Sequence, residues 1–177
     1  ALKGLEIGCL AFVDVAAATA LHGVAAQTPS PKQLKAGGKK LVNHYVDVIE
    51  KYIESIKSVT RYLAVDGYFM KKEFINPLLK QGLHIITKAR SDANLMYLFK
   101  GKQKSGRGRR KLYDGKIDIR KIDKRRLPCC YSDDHVRVYA GAVYCVLLKQ
   151  VALAAFVYYG HKEKPEIIIC TDVGIEV

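Results

Sequence analysis

The stretch YLAVDGYFMKKEFINPLLKQGLHIIT, Tyr62 to Thr87, decides the fold. Tyr62–Val65 is a short apolar run of strand type, ended by Asp66 and Gly67. Lys71 to Gln81 reads as a short helix, and Gly82 follows it as a C-terminal cap. Leu83–Thr87 is a second uninterrupted apolar strand. Strand, helix and strand with continuous apolar runs predict a parallel βαβ unit, because strands buried on both faces need no polar alternation. Asp66 is the odd residue. A carboxylate at the end of a buried strand is costly to desolvate unless something pairs with it.

Working outward, Leu5–Val15 and Thr19–Ala26 read as a hairpin joined by the small residues Ala16–Ala18, closed by the Pro-punctuated loop QTPSPK. From Lys39 to Lys57, Leu41, Val42, Tyr45, Val48, Ile49, Tyr52, Ile53 and Ile56 recur at i, i+3, i+4 and i+7. That spacing predicts one amphipathic helix, with Asp47, Glu50, Lys51, Glu54 and Lys57 on its wet face. Downstream, Ser91–Asp92 reads as a turn or the start of a short helix. His135–Leu148 and Val151–Tyr159 read as long antiparallel strands, and Glu166–Thr171 as a last one. The expected class is therefore α/β, a mixed sheet with helices carrying a β-rich insertion. The expected organisation is a core over 1–99, a basic segment over 100–126, and a β-rich part returning toward the core over 127–177.

The chain has 177 residues, 49% of them apolar, which is globular composition, and a formal net charge of +13. Thirteen of its Lys and Arg residues, against three Asp, fall between Lys100 and Arg126, so that segment carries +10 and the rest only +3. So dense a block repels itself unless a polyanion neutralises it, which points to nucleic-acid phosphates before an anionic membrane. Its four glycines, Gly101, Gly106, Gly108 and Gly115, allow the other reading, a solvated mobile loop. The apolar run from Val136 to Tyr159 is broken by Arg137, Lys149 and Gln150, short of a membrane span. Glu6 and Asp14 interrupt the N-terminal apolar run and argue against a signal peptide. Cys9, Cys129, Cys130, Cys145 and Cys170 form no CxxC pair, and read as reduced packing cysteines of a cytoplasmic protein.

For chemistry, Asp66 has two readings. At the carboxyl end of a strand it can hold a divalent metal, Mg²⁺ or Mn²⁺. It can equally cap the helix that follows. Lys88 and Arg90, just after the neighbouring strand, are candidates to hold a phosphate there. Lys102, Lys104, Arg107, Arg109, Arg110 and Lys111 are the candidate DNA contacts, to the backbone and not to base edges. Asp14 falls where the hairpin turns, and His84 reads as a satisfied core residue. SGRGRR lacks both the preceding strand and the spacing of a P-loop.

Taken in order, KGLEIGCLAFVDV…ALHGVAAQTP, RYLAVDGYFMKKEFINPLLKQGLHIITKARSDANLMYLF and GRGRRKLYDGKIDI resemble the catalytic domain of DDE-superfamily bacterial insertion-sequence transposases. The resemblance runs over most of the chain and is weakest from Cys129 to Lys164. It implies a ribonuclease-H-like fold with a β-rich insertion, and DNA cutting and joining by three carboxylates around two metals. It implies DNA as partner, a homodimer on transposon ends, and a cytoplasmic, nucleoid-associated place in a bacterium. Asp66 in AVDGYF matches the second catalytic aspartate. The first would lie upstream of LKGLEIG and the last glutamate in a helix after CTDVGIEV, so the chain reads as the middle fragment of such an enzyme, inactive alone. Neither Asp14 nor Glu176 fits the missing positions. On this reading Tyr62–Asp66 is an interior strand beside Leu83–Thr87, with the Leu5–Val15 strand beyond or beside it. The Asp66 carboxylate then points into a cleft, uncapped. The competing reading is a non-catalytic basic nucleic-acid-binding module in which Asp66 only caps its helix, and a third is a decayed remnant without activity.

Overall fold

A computed structural model describes residues 6–90, 92–103, 106, 108–160, 162 and 164–175. The chain divides into two compact units, Ala1–Ile56 and Lys57–Val177.

In the first unit, β1 (Ile7–Asp14) and β2 (Thr19–Gln27) form an antiparallel hairpin, a two-stranded sheet of its own. Asp14 closes the turn by accepting the Ala17 N–H at 3.0 Å, so it is a turn residue as its place suggests. The hairpin faces α2 (Leu41–Lys51) at Gly8, where a Cβ would collide with the Tyr45 ring. QTPSPK is more than a loop. Ser30 and Gln33 make a reciprocal capping box, and Pro31 opens the helix α1 (Pro31–Ala36), where a missing N–H costs nothing. The single helix predicted over Lys39–Lys57 is two, α2 and α3 (Ile53–Val59), parted at Tyr52. The Ile56 N–H still bonds to the Tyr52 carbonyl at 3.0 Å, so the break is one irregular residue inside a continuous amphipathic run.

The second unit is built on one eight-stranded mixed sheet. Its path runs β3 (Tyr62–Val65), β4 (His84–Ala89), β10 (Glu166–Cys170), β9 (Gln150–Tyr159), β8 (Val136–Cys145), β5 (Leu95–Leu98), β6 (Tyr113–Lys116). A further strand, β7 (Cys129–Ser132), pairs with the first residues of β8, while β5 pairs with its last. β3 and β4 are parallel, joined through a 3-10 turn (Gly67–Phe69) and α4 (Lys72–Lys80), as the βαβ reading requires. Gly82 takes φ +85° after α4, where a side chain would be strained. The other pairings are antiparallel.

One sheet face is the core. Ile85, Ile167, Ile169, Ala154, Phe156 and Val143 are fully buried on it, and α4 adds Phe74, Ile75 and Leu78. The opposite face is more open, with Ile168 39% and Val151 40% exposed. β3 ends the sheet as an edge strand among the described residues, and β1 lies outside this sheet. Both facts correct the expectation of an interior Tyr62–Asp66 strand flanked by Leu5–Val15. β1 pairs with β2 in a two-stranded sheet separate from the sheet that holds β3. The apolar run Val136–Tyr159 is the β8–β9 hairpin, and no helix among the described residues is long and apolar enough to cross a membrane.

The end of the basic segment is tied to the core. Ile117 and Leu127 are 2% and 1% exposed, and the strap between them lies against the sheet. The Asp123 N–H bonds to the Tyr97 hydroxyl at 2.7 Å, and the Tyr158 hydroxyl donates to the Ile119 carbonyl at 2.7 Å. Residues 117–127 are thus anchored to the sheet at both ends and by these two bonds, while most of the side chains between stay exposed.

Candidate functional site

A cleft of about 400 Å³ opens at the carboxyl ends of β3 and β4, lined by Asp66, Gly67, Tyr68, Lys88, Ala89, Arg90, Pro165, Glu166 and Ile167. Asp66, Lys88 and Arg90 therefore do share one site. Gly67 lets the chain fold tightly against β4, since a Cβ there would lie 2.8 Å from the Lys88 carbonyl oxygen. The Thr87 hydroxyl adds a bond to the Asp66 carbonyl at 3.1 Å.

The Asp66 carboxylate is not free of the backbone. Its Oδ1 accepts the Tyr68 N–H at 2.7 Å, making Asp66 the N-cap of the 3-10 turn. This corrects the expectation of an uncapped side chain: the first amides of a helical turn lack partners, and an aspartate at that position satisfies one of them. Neither cation turns to Asp66. Lys88 Nζ lies 3.1 Å from Glu166 Oε2, and Arg90 pairs with Asp92 at 3.1 and 3.2 Å. The Arg90–Asp92 side chains are 81% and 69% exposed, so water screens that pair and leaves Arg90 available. Hydrogen bonds from Lys162 first, and then Lys88, hold the Glu166 carboxyl below the usual range.

Among the described residues no group of three or more His, Cys, Asp or Glu is placed to hold a metal ion. The described residues thus do not make a two-metal centre. Asp66 keeps Oδ2 without a hydrogen-bond partner among the described residues, and Glu166 is committed to two lysines.

Of the candidate DNA contacts, Lys104 and Arg107 lie outside the described residues. Lys102, Arg109 and Arg110 are exposed and meet no carboxylate among those described. Lys111 is different: it pairs with Asp114 at 2.9 Å and lies over the Phe99 ring. Arg126 takes the other Asp114 oxygen at 2.8 Å. These bonds, Arg126 first, hold the Asp114 carboxyl below the usual range. A depressed pKa stabilises the fold above the unfolded-state value and is lost as pH falls through the folded one. Acidification from neutral pH to below the ordinary aspartate range should therefore lower the melting temperature more in the wild type than in Asp114→Asn. Equal losses would mean that the Asp114 node contributes nothing to stability.

Two features were not read from sequence. Arg120, Lys121, Lys124 and Arg137 converge on a second pocket with Tyr139 and Tyr158, though Arg137 lies outside the basic segment. At the other end of β3, the Tyr62 hydroxyl donates to Asp172 Oδ2 at 2.7 Å, which pushes the tyrosine pKa up and the aspartate down. His84 stacks beside Tyr62 with its Nδ1 buried and without a hydrogen-bond partner among the described residues, so it is not the satisfied core histidine expected. Cys145 and Cys170 are buried as packing residues, whereas Cys9, Cys129 and Cys130 are exposed, and all five are free thiols. Compared with protein-family models, with curated proteins and with solved structures, the chain matches none.

Proposed function

We propose that the chain binds the phosphate backbone of DNA, as part of the catalytic domain of a DDE-type transposase with a ribonuclease-H-like core. The observation that carries the binding is an unneutralised positive surface. Among the described residues of the basic segment, carboxylates pair only with Lys111 and Arg126. The remaining cations gain by meeting a polyanion, with no base-edge readout implied. The transposase assignment is supported by the resemblance and by the parallel β3–β4 pair, which sets Asp66, Lys88 and Arg90 around one cleft at the strand ends. There Asp66 would supply one ligand for Mg²⁺ or Mn²⁺. A two-metal reaction clamps attacking and leaving oxygens with more carboxylates than these, so no chemical step is assigned to the cleft.

A second reading, a non-catalytic basic DNA-binding module, is favoured by the Asp66–Tyr68 cap. Binding of duplex DNA across a salt series tests what the two share. Log affinity should fall linearly with log salt, and replacing Lys102, Arg109 and Arg110 by Gln together should reduce the slope by about three. An unchanged slope would remove this segment from the interface. Mn²⁺ added to the complex separates the readings. It should broaden the amide signals of Asp66 and Gly67 if the carboxylate is a metal ligand, and leave them sharp if it is a cap alone.

A further inference from the structure

The pocket on the strap is small, about 260 Å³, and four cations enter its lining: Arg120, Lys121, Lys124 and Arg137. That is below the about 300–1,000 Å³ typical of pockets that enclose a drug-sized molecule, and suits a compact anion. The cations come from two places in the chain. Three sit on the strap over 117–127, and Arg137 sits on β8, directly opposite Tyr158 on β9 and Ser132 on β7. None of the four pairs with a carboxylate among the described residues. The strap's aspartates are engaged in local turns: Asp118 accepts the Arg120 N–H and Asp123 the Arg125 N–H, both at 3.0 Å.

Tyr139 and Tyr158 wall the pocket edge to face, with ring centroids 5.8 Å apart, and Lys124 Nζ lies 5.5 Å from the Tyr139 ring. Tyr158 is fixed by its bond to the Ile119 carbonyl, which also fixes the strap beneath Arg120. Four exposed positive heads gathered around these rings repel one another, although water screens part of that repulsion. Hydrogen bonding to an anion with several acceptor oxygens relieves it, and guanidinium matches the tetrahedral oxygens of phosphate in a bidentate way.

We propose that this pocket seats one phosphate group of a nucleic-acid backbone, with Arg137 and Arg120 as its principal contacts and Lys121 and Lys124 as flanking charges. The proposal deepens the DNA-binding reading and rests on it for the source of the phosphate. It adds a fixed anchoring point on the sheet, distinct from the exposed cations Lys102, Arg109 and Arg110 and from the Asp66 cleft.

The test is NMR titration of the full chain, following the arginine Nε–Hε signals, with a double-stranded DNA oligonucleotide and, separately, with inorganic phosphate. Both ligands should move Arg137 and Arg120. Arg137→Gln should weaken oligonucleotide binding about tenfold and reduce its salt slope by about one. The melting temperature should not change, since Arg137 is exposed and pairs with no carboxylate among the described residues. Binding that leaves both arginine signals in place, with Arg137→Gln unchanged, overturns the pocket and leaves the DNA-binding reading standing. Movement with inorganic phosphate but no oligonucleotide binding overturns the nucleic-acid source, and with it the DNA-binding reading. Failure of both ligands to bind overturns both.

Discussion

Phe156→Ala should cost the second unit about 3–5 kcal/mol, among the largest losses that one core truncation produces. Phe156 is fully buried in β9, with Tyr139 of β8 and Ile167 of β10 beside it in register. Three strands close around that ring, so the structure cannot collapse into the space it leaves. Thermal unfolding followed by circular dichroism should show the midpoint falling by about 10–20 °C. Val151→Ala, on the same strand but 40% exposed on the open face, is the control. Its cost should stay within about 1 kcal/mol. Similar losses for the two variants would mean that the faces are assigned the wrong way round.

The second large effect is expected at Gly67. An added methyl would meet the Lys88 carbonyl at 2.8 Å, backbone against Cβ, and no side chain can swing away to relieve it. Gly67→Ala should destabilise by about 1–3 kcal/mol, the usual cost of overpacking. It should also shift the amide signals of Lys88 and Ala89, because the turn must lift off β4. Gly108→Ala is the matched control, with open space around it and no positive φ. Loss of stability without any shift at β4 would point to strain within the turn instead of the clash.

The parts of this fold legible in the sequence are those whose residues act locally. The βαβ unit announced itself through two unbroken apolar runs, a helix and Gly82, and β8, β9 and β10 through long β-branched and aromatic stretches. α1 was legible and missed: Ser30, Pro31 and Gln33 spell a capping box that two prolines disguised as a loop. β5, β6 and β7 were not legible in the same way. Each has four residues, and YDGK or CCYS shows no alternation of its own, because pairing with longer neighbours is what makes them strands. Charge hid the rest. Counting lysines and arginines placed Lys102–Lys111 on the surface, yet it could not tell that Lys111 and Arg126 are bound to Asp114. Nor could it bring Arg137 to Arg120, since that meeting is a product of the sheet. Asp66 was correctly set at a strand end beside Lys88 and Arg90, while the cap it makes lay in a backbone geometry that either reading of DGYF allows.

The strap over 117–127 changes what binding costs. A flexible basic loop must surrender backbone freedom of about 1–2 kcal/mol per residue when a ligand orders it. Here two tyrosine hydroxyls and two buried aliphatic side chains have already fixed that backbone as part of folding. An anion that docks on Arg120, Lys121 and Lys124 then has mainly side-chain rotamers left to order, and keeps more of its contact energy as affinity. Stability and recognition are thereby joined in one segment: a substitution at Tyr97, which does not line the pocket, would weaken binding by restoring entropy to the strap.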